Sequence, residues 1–283
     1  YTFRVQAANV GGTGPESAAS NAVTPTGAGT PSAPTGATAV ADSKSAIVSW
    51  TEPGSDGGSA ITAYTVTPFV GATAQAPTSV GASTTKTRIT GLSNGTSYTF
   101  RVAATSSAGT GPESGASNAV SPKHSILELG TPSTVDAGDP SATVLGMKFT
   151  PDVDGTVTGV RFYKAAANTG AHVGALWSAG GSELRSGSFS GETASGWQTL
   201  TFSTPVTVTA GTTYVATYLA PNGHYSVTGA GFADGPLDNP PLHALANSTS
   251  ANGVYAYSST SVFPSSTWNA TNYWVDVLFA PSS

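Results

Sequence analysis

Apolar residues recur at every second position through a series of short runs, bounded by Gly, Pro, Asn and Asp, and nowhere with the three-to-four spacing of an amphipathic helix. In the first half this pattern predicts strands over residues 35–41, 46–50, 61–69, 85–90, 98–104 and 116–120. In the second it predicts them over 143–149, 156–163, 174–177, 184–189, 198–202, 206–208, 213–218, 225–228, 254–257 and 272–279. The last is the most apolar. Alternation sends Tyr273, Val275, Val277 and Phe279 to one side and Trp274, Asp276 and Leu278 to the other, so only Asp276 breaks a ribbon that is apolar on both faces. Such a ribbon needs cover on each side, which predicts an inner strand of a sandwich with residues 157–163 beside it. The expected fold class is all-β.

The chain also repeats itself. Tyr1-Thr-Phe-Arg-Val5 returns as Tyr98-Thr-Phe-Arg-Val102, and Gly12-Thr-Gly-Pro-Glu-Ser17 returns as Gly109-Thr-Gly-Pro-Glu-Ser114. At an offset of 97, 18 of the first 25 residues are identical to their partners. The period is one small β domain. Residues 1–25 are therefore expected to be the last two strands of a domain whose earlier strands lie further toward the N-terminus of the natural protein. Two strands cannot bury a shared face by themselves. That predicts a cover supplied by another protein chain or by the neighbouring domain.

Residues 31–122 hold one complete unit. Val48-Ser-Trp50, Gly57-Gly-Ser-Ala-Ile61, Tyr64-Thr-Val66, Gly91-Leu92 and Gly95-Thr-Ser-Tyr-Thr-Phe-Arg-Val102, taken as a set, resemble a fibronectin type III domain. The resemblance implies an immunoglobulin-like sandwich with Trp50 in its core and Tyr98 bonded back to the preceding turn. It also implies a spacer or adhesion role. No Arg-Gly-Asp triplet occurs, so the integrin motif of some relatives is not carried over.

Composition changes the picture in one respect. The chain has 283 residues, 38% of them apolar, enough for real cores, yet only 9% are charged, against roughly a quarter in an average domain. A surface of Gly, Ser, Thr and Ala predicts an extracellular protein, secreted or held at the cell surface. The net charge of -5, with no clustered basic face, argues against nucleic acid as a partner. No apolar run approaches the roughly 18 residues of a membrane span. Cysteine is absent, which excludes disulfides and thiol chemistry.

From residue 126 to 281 the strands carry more aromatic rings. Val160-Arg-Phe-Tyr-Lys164, Asn168-Thr-Gly-Ala-His172, Gly196-Trp-Gln198, Asn222-Gly-His-Tyr225, Asn252-Gly-Val-Tyr255 and Asn272-Tyr-Trp-Val-Asp-Val277 resemble the bacterial family catalogued as domain of unknown function forty eighty-two. Eight to ten strands here fit a C-terminal jelly-roll-like β-sandwich. The resemblance implies a module appended to fibronectin-type domains in secreted bacterial proteins.

Trp177, Trp197 and Trp274 read as core. Trp268 stands apart in the polar loop Ser265-Ser-Thr-Trp-Asn-Ala-Thr271, while Tyr255 and Tyr257 share one face of a short strand and His224-Tyr225 follow an Asn-Gly turn. Rings on loops suit a sugar: the ring covers the C–H face of a pyranose, and short polar groups take its hydroxyls. The expectation is a non-catalytic module binding polysaccharide or cell-surface glycan. Trp268 would stack with Tyr255, Tyr257 or Tyr225, and His224, Asn252 and Asp238 would read the hydroxyls. Loops closing over their own apolar contacts is the competing reading. One alternative is a structural or adhesive surface assembly. A further alternative is a metal-dependent enzyme built on His172, His224 and His243, whose imidazoles would have to converge. Turn aspartates, Asp136 and Asp139 foremost, are candidate ligands for calcium. Neither a carboxylate pair in apolar surroundings nor a nucleophile elbow, phosphate loop or His-Glu-x-x-His motif is present.

Overall fold

The computed structural model describes residues 1–24, 27–128 and 130–282; Pro25, the end of the first expected segment, lies outside the described residues. The chain divides into two compact units, one of Tyr1–Thr38, Ser49–Thr87 and Phe100–Asn118, the other of Ala39–Val48, Arg88–Thr99 and Ala119–Ser283. Strands β1 (Ala8–Asn9) and β2 (Gly12–Thr13) pair as a short hairpin. Then follow β3 (Thr35–Asp42), β4 (Ser45–Thr51), β5 (Ile61–Val70), β6 (Thr73–Ala74), β7 (Thr78–Gly81), β8 (Lys86–Thr90), β9 (Thr99–Ser106) and β10 (Gly109–Thr110). They make two sheets, ordered β3-β4-β8 and β10-β9-β5-β6, with β7 also paired to β5. Trp50 is buried with its ring 5.4 Å from that of Tyr64. The buried Tyr98 hydroxyl accepts the Ser93 N–H at 3.0 Å, the corner bond that the resemblance implied.

Residues 116–120 do not form the expected strand. The segment bonds to β9 at every third residue: the N–H groups of Gly111, Ser114, Ser117 and Val120 donate to the carbonyls of Ala104, Val102, Phe100 and Tyr98. Three residues on one side match two on the other, so a period-two reading misplaces it. Serine makes up the difference, because the hydroxyls of Ser114 and Ser117 accept the N–H groups of Val102 and Phe100, each at 3.0 Å. The first 23 residues repeat this arrangement bond for bond, through Gly14, Ser17, Ser20 and Val23. What differs is cover. Tyr1, Phe3 and Val5 are 79%, 62% and 75% exposed, whereas Tyr98, Phe100 and Val102 are buried. The cover expected from a neighbouring domain is therefore missing, and every residue from 1 to 24 is exposed. In a dilute solution the amides of Phe3, Val5, Ser17 and Ser20 are expected to exchange on the order of a hundredfold faster than those of Phe100, Val102, Ser114 and Ser117. Equal protection of the two sets in hydrogen exchange would contradict this, and protection rising with concentration would show pairing between chains.

The second unit is built mainly from β11 (Thr143–Pro151), β12 (Gly155–Lys164), β13 (Val173–Ser178), β14 (Glu183–Ser188), β15 (Gly196–Val208), β16 (Tyr214–Ala220), β17 (Leu237–Asn239), β18 (Leu242–Ala244), β19 (Val254–Tyr257), β20 (Ser266–Thr267) and β21 (Val275–Pro281). One sheet is ordered β14-β13-β16-β11-β18-β17, with β19 on β11 and β20 on β19; the other is ordered β15-β12-β21. Their facing sides bury Leu145, Met147, Phe149, Phe162, Tyr218, Val277 and Phe279, with Phe162 stacked on Tyr218 at 4.2 Å. Strict alternation would put Val157 and Val160 on opposite faces. A bulge between Val157 and Gly159 resets the count, so both enter the core. A Cβ at Gly159 would lie 2.1 Å from the Leu200 carbonyl, which is why the bulged position carries none.

The closing strand begins at Val275, later than expected, and it is not the inner strand. β12 is central, and β21 lies at the edge, where His124 exchanges two backbone bonds with Phe279. The residue that broke its apolar pattern explains the other face. Asp276 is fully buried; it accepts the N–H groups of Ile126, Leu127 and Val277 and the guanidinium of Arg161. Arg161 also donates to Asp42 at 2.6 Å, to Ser125 and to the Glu128 carbonyl, and its guanidinium lies 4.3 Å over the Trp197 ring. Trp197 is accordingly half-buried against Trp274 rather than part of the core.

Candidate functional site

Three loops are stitched together at one end of this sandwich. Thr134 and Val227 exchange backbone bonds, as do Thr228 and Asn272, and Ala137 donates to the Tyr225 carbonyl. The stitching brings Tyr225, Tyr273, Tyr255 and Tyr257 into a chain of edge-to-face rings with centroids 5.8, 6.2 and 5.7 Å apart. Tyr225, Tyr273 and Trp268 line a cavity of about 250 Å³ together with Asn269 and Thr271. Trp268, in the lining, is 69% exposed, and Tyr257, outside the lining at the end of the ring chain, is 63% exposed. Tyr273 is buried in the core cluster, as the alternation predicts, and its ring also lines this cavity.

One carboxylate organises the rings. Asp139 Oδ2 accepts the hydroxyls of both Tyr225 and Tyr257 at 3.0 Å, and Oδ1 accepts the Ser141 N–H. Burial alone would raise the Asp139 pKa, but the Ser141 backbone and hydroxyl and the two tyrosines outweigh it and hold the carboxyl below its usual range. Burial, reinforced by Asp139, pushes the Tyr225 hydroxyl far above its ordinary value, so it remains a donor at any physiological pH. Beside it, His224 Nδ1 lies 3.1 Å from both oxygens of Asp136. The Gly138 N–H is the main reason that the Asp136 carboxyl sits low.

The backbone here is strained. Among the described residues seven non-glycine residues have positive φ, and five of them, His224, Ala230, Asn269, Ala270 and Trp274, lie in or next to the lining of this cavity. Each left-handed residue costs roughly 1–2 kcal/mol, and such strain clusters at ligand sites.

Other expected site residues fall elsewhere. Asn252 cannot meet a ligand: it is fully buried and bonds the backbone of Lys148 on both sides and the Leu245 carbonyl. Asp238 lies away from the rings, paired with His243 Nδ1 at 2.7 Å, while His243 Nε2 meets Asp152 at 2.6 Å. The histidines do not converge. His172 is buried between Glu192 and Asn168, where burial holds its pKa down in spite of Glu192. His224 belongs to the tyrosine site and His243 to its own carboxylate pair. Asp136 and Asp139 are engaged by His224 and the tyrosines. Among the described residues, no group of three or more His, Asp or Glu side chains is placed to hold a metal ion.

Fold and site together define a modular all-β protein, an immunoglobulin-like sandwich followed by a sandwich with an aromatic cavity at its loop end. The chain belongs to the family described as Domain of unknown function (DUF4082), which matches residues 129–275, and it carries a fibronectin type III domain at residues 32–120. The pair is of the spacer or adhesive kind, and fibronectin type III domains are typical of extracellular proteins. Among the described residues no helix is long and apolar enough to cross a membrane. Among solved structures, domains A168–A170 of titin are 35% identical over 34% of this chain and 33% of that one, with a TM-score of 0.30. The FN1–FN3 domains of chicken CNTN1 are 25% identical over 44% of this chain and 42% of that one, with a TM-score of 0.31. The FN5 domain of Drosophila Lar is 27% identical over 32% of this chain and 96% of that one, with a TM-score of 0.26. The chain thus spans about a third of the length of the titin chain it matches.

Proposed function

We propose that the C-terminal sandwich is a non-catalytic, polysaccharide-binding module of a larger secreted bacterial protein, with the fibronectin type III part as its spacer. The observation that carries this reading is Trp268, a large ring held outward at the rim of a cavity floored by Tyr225 and Tyr273. The cavity is smaller than the roughly 300–1,000 Å³ of enclosed small-molecule pockets. A groove gripping one unit of a polymer needs no more. Trp268 and Tyr257 supply faces for pyranose rings, and Asp139, Asp136 and His224 supply acceptors and donors for hydroxyls.

Binding of the full chain to insoluble cellulose, chitin and xylan tests this. The unmodified protein is expected to be retained on at least one of them. Trp268→Ala should weaken retention about tenfold or more, since full burial of a large side chain contributes on the order of 1.5–3 kcal/mol. Its thermal midpoint should hardly move, because exposed positions of this kind change stability by about 0.5 kcal/mol or less. Retention on none of the three, or undiminished retention of the variant, would remove the proposal.

A further inference from the structure

The outer face of the larger sheet carries a second, smaller apolar cluster of Ala175, Trp177, Val215 and Val254, with Phe263 packed against it. Beside it opens a cavity of about 360 Å³ that shares no lining residue with the tyrosine site. Its walls are Val215, Leu245 and Ala179, and its polar groups are the ammonium of Lys148 and the hydroxyls of Thr213, Thr249 and Ser250. Lys148 lies on β11 opposite Val215 of β16, on the face away from the main core. Its Nζ donates to Ser250 Oγ at 3.0 Å. Among the described residues no carboxylate stands within ion-pair distance of it, although most other cations of the second unit have one, as Arg161, Lys164 and Lys44 show.

This arrangement is built rather than incidental. Buried Asn252 accepts the Lys148 N–H at 2.8 Å and donates to its carbonyl at 3.0 Å, and that carbonyl also takes the Leu245 N–H. The loop bearing Thr249 and Ser250 is closed by their two N–H groups on the Ala246 carbonyl, and Asn252 anchors its far end to Asn247. A half-buried ammonium facing hydroxyls and apolar walls therefore has a fixed backbone on each side. Burial holds its pKa below that of a free lysine, with no opposing negative charge to raise it.

We propose that this cavity is a second ligand site, which takes a carboxylate on a sugar-sized body. Lys148 is the counter-ion, Ser250, Thr249 and Thr213 bond the ligand's oxygens, and Val215 and Leu245 face its apolar side. A carboxylate supplies the charge that the site lacks, and the charge-assisted bond is stronger here than in water because the ammonium is already partly desolvated. The carboxylate comes either from a free acid or from a uronic acid unit of a polymer, and the two sources share this chemistry. The site stands apart from the tyrosine cavity and does not depend on its function.

Calorimetric titration of the full chain, without divalent cations, tests the assignment with galacturonate, galactose, inorganic phosphate and polygalacturonate. Galacturonate is expected to bind at least tenfold more tightly than galactose or phosphate. Lys148→Met should abolish the preference, Lys148→Arg should keep part of it, and Ser250→Ala should weaken galacturonate several-fold with the fold intact by circular dichroism. Tighter binding of polygalacturonate identifies the polymer as the source, and binding of the monosaccharide alone identifies the free acid. Trp268→Ala should leave all of these values unchanged, which separates this site from the glycan reading above. Equal affinity for galactose, equal affinity for phosphate, or no binding of either galacturonate or polygalacturonate at tens of millimolar overturns the proposal.

Discussion

Asp276→Ala is expected to lower the unfolding free energy by about 3–5 kcal/mol, the usual cost of removing one partner from a buried charged pair. The side chain has no exposed surface, so water cannot replace it. Its loss strands the N–H groups of Ile126, Leu127 and Val277 and leaves Arg161 with Asp42 as its remaining carboxylate. Each buried donor without an acceptor costs about 1–3 kcal/mol. Asp276→Asn keeps an acceptor oxygen and should cost less. Replacing the ion pair as a whole, Arg161→Met with Asp276→Leu, should recover part of the loss on the Arg161 side while the three N–H groups stay unpaired. Urea unfolding of the three proteins measures this, and a loss below about 1 kcal/mol for Asp276→Ala would refute the account.

Gly253→Ala should be as damaging, by a different route. Gly253 has φ +72, and a Cβ there would fall 1.8 Å from the Thr271 carbonyl oxygen. Overpacking costs about 1–3 kcal/mol and sometimes more, and the left-handed backbone adds about 1–2 kcal/mol. A total of about 3 kcal/mol or more follows. The position also matters for binding. Gly253 immediately precedes β19, which carries Tyr255 and Tyr257, and Thr271 leads into Tyr273. Pushing the two segments apart should separate those rings, so retention on glycan is expected to fall with stability although no ring is altered. Gly191→Ala is the comparison: φ there is +64, but open space surrounds the site. It should cost about 1–2 kcal/mol and leave binding alone. Equal stability of the two variants would refute the steric argument.

Much of this architecture could be read from residue patterns, because period-two alternation reports one apolar face reliably. The runs at 143–149 and 156–163 became β11 and β12 with small shifts at their ends. Patterns were misleading where local bonding replaces the ladder. Residues 225–228 hold isolated bridges to Lys164, Thr134 and Asn272 in place of a strand, because three different neighbours share them. Residues 116–120 follow a period of three. The bulge in β12 left no mark in composition beyond Gly159 itself.

For the candidate site, the legible part was the set of rings in polar surroundings: Trp268 and Tyr225 on loops, and Tyr255 and Tyr257 on a short strand. Their tether was not legible. Asp139 lies 86 residues from Tyr225 and 118 from Tyr257 in sequence, and nothing local marks a carboxylate as the acceptor for two distant phenols. Asn252 misled for a related reason. An Asn-Gly pair in a loop looks solvated, yet its amide here completes the backbone bonding of Lys148 and Leu245. Lys148 is one polar residue in an alternating strand, and its half-buried place in a cavity beside Ser250 is visible only in the fold.

The serine ladder along β9 has a consequence for how such modules behave in number. The last segment of a sandwich normally offers an open row of donors and acceptors on which a foreign strand can grow. Here the chain rises at three residues for every two, with hydroxyls turned inward, so its free side lacks the spacing that a growing fibril would need to copy. The two near-identical copies in this chain both carry this irregular ribbon, which gives a foreign strand no regular ladder to extend.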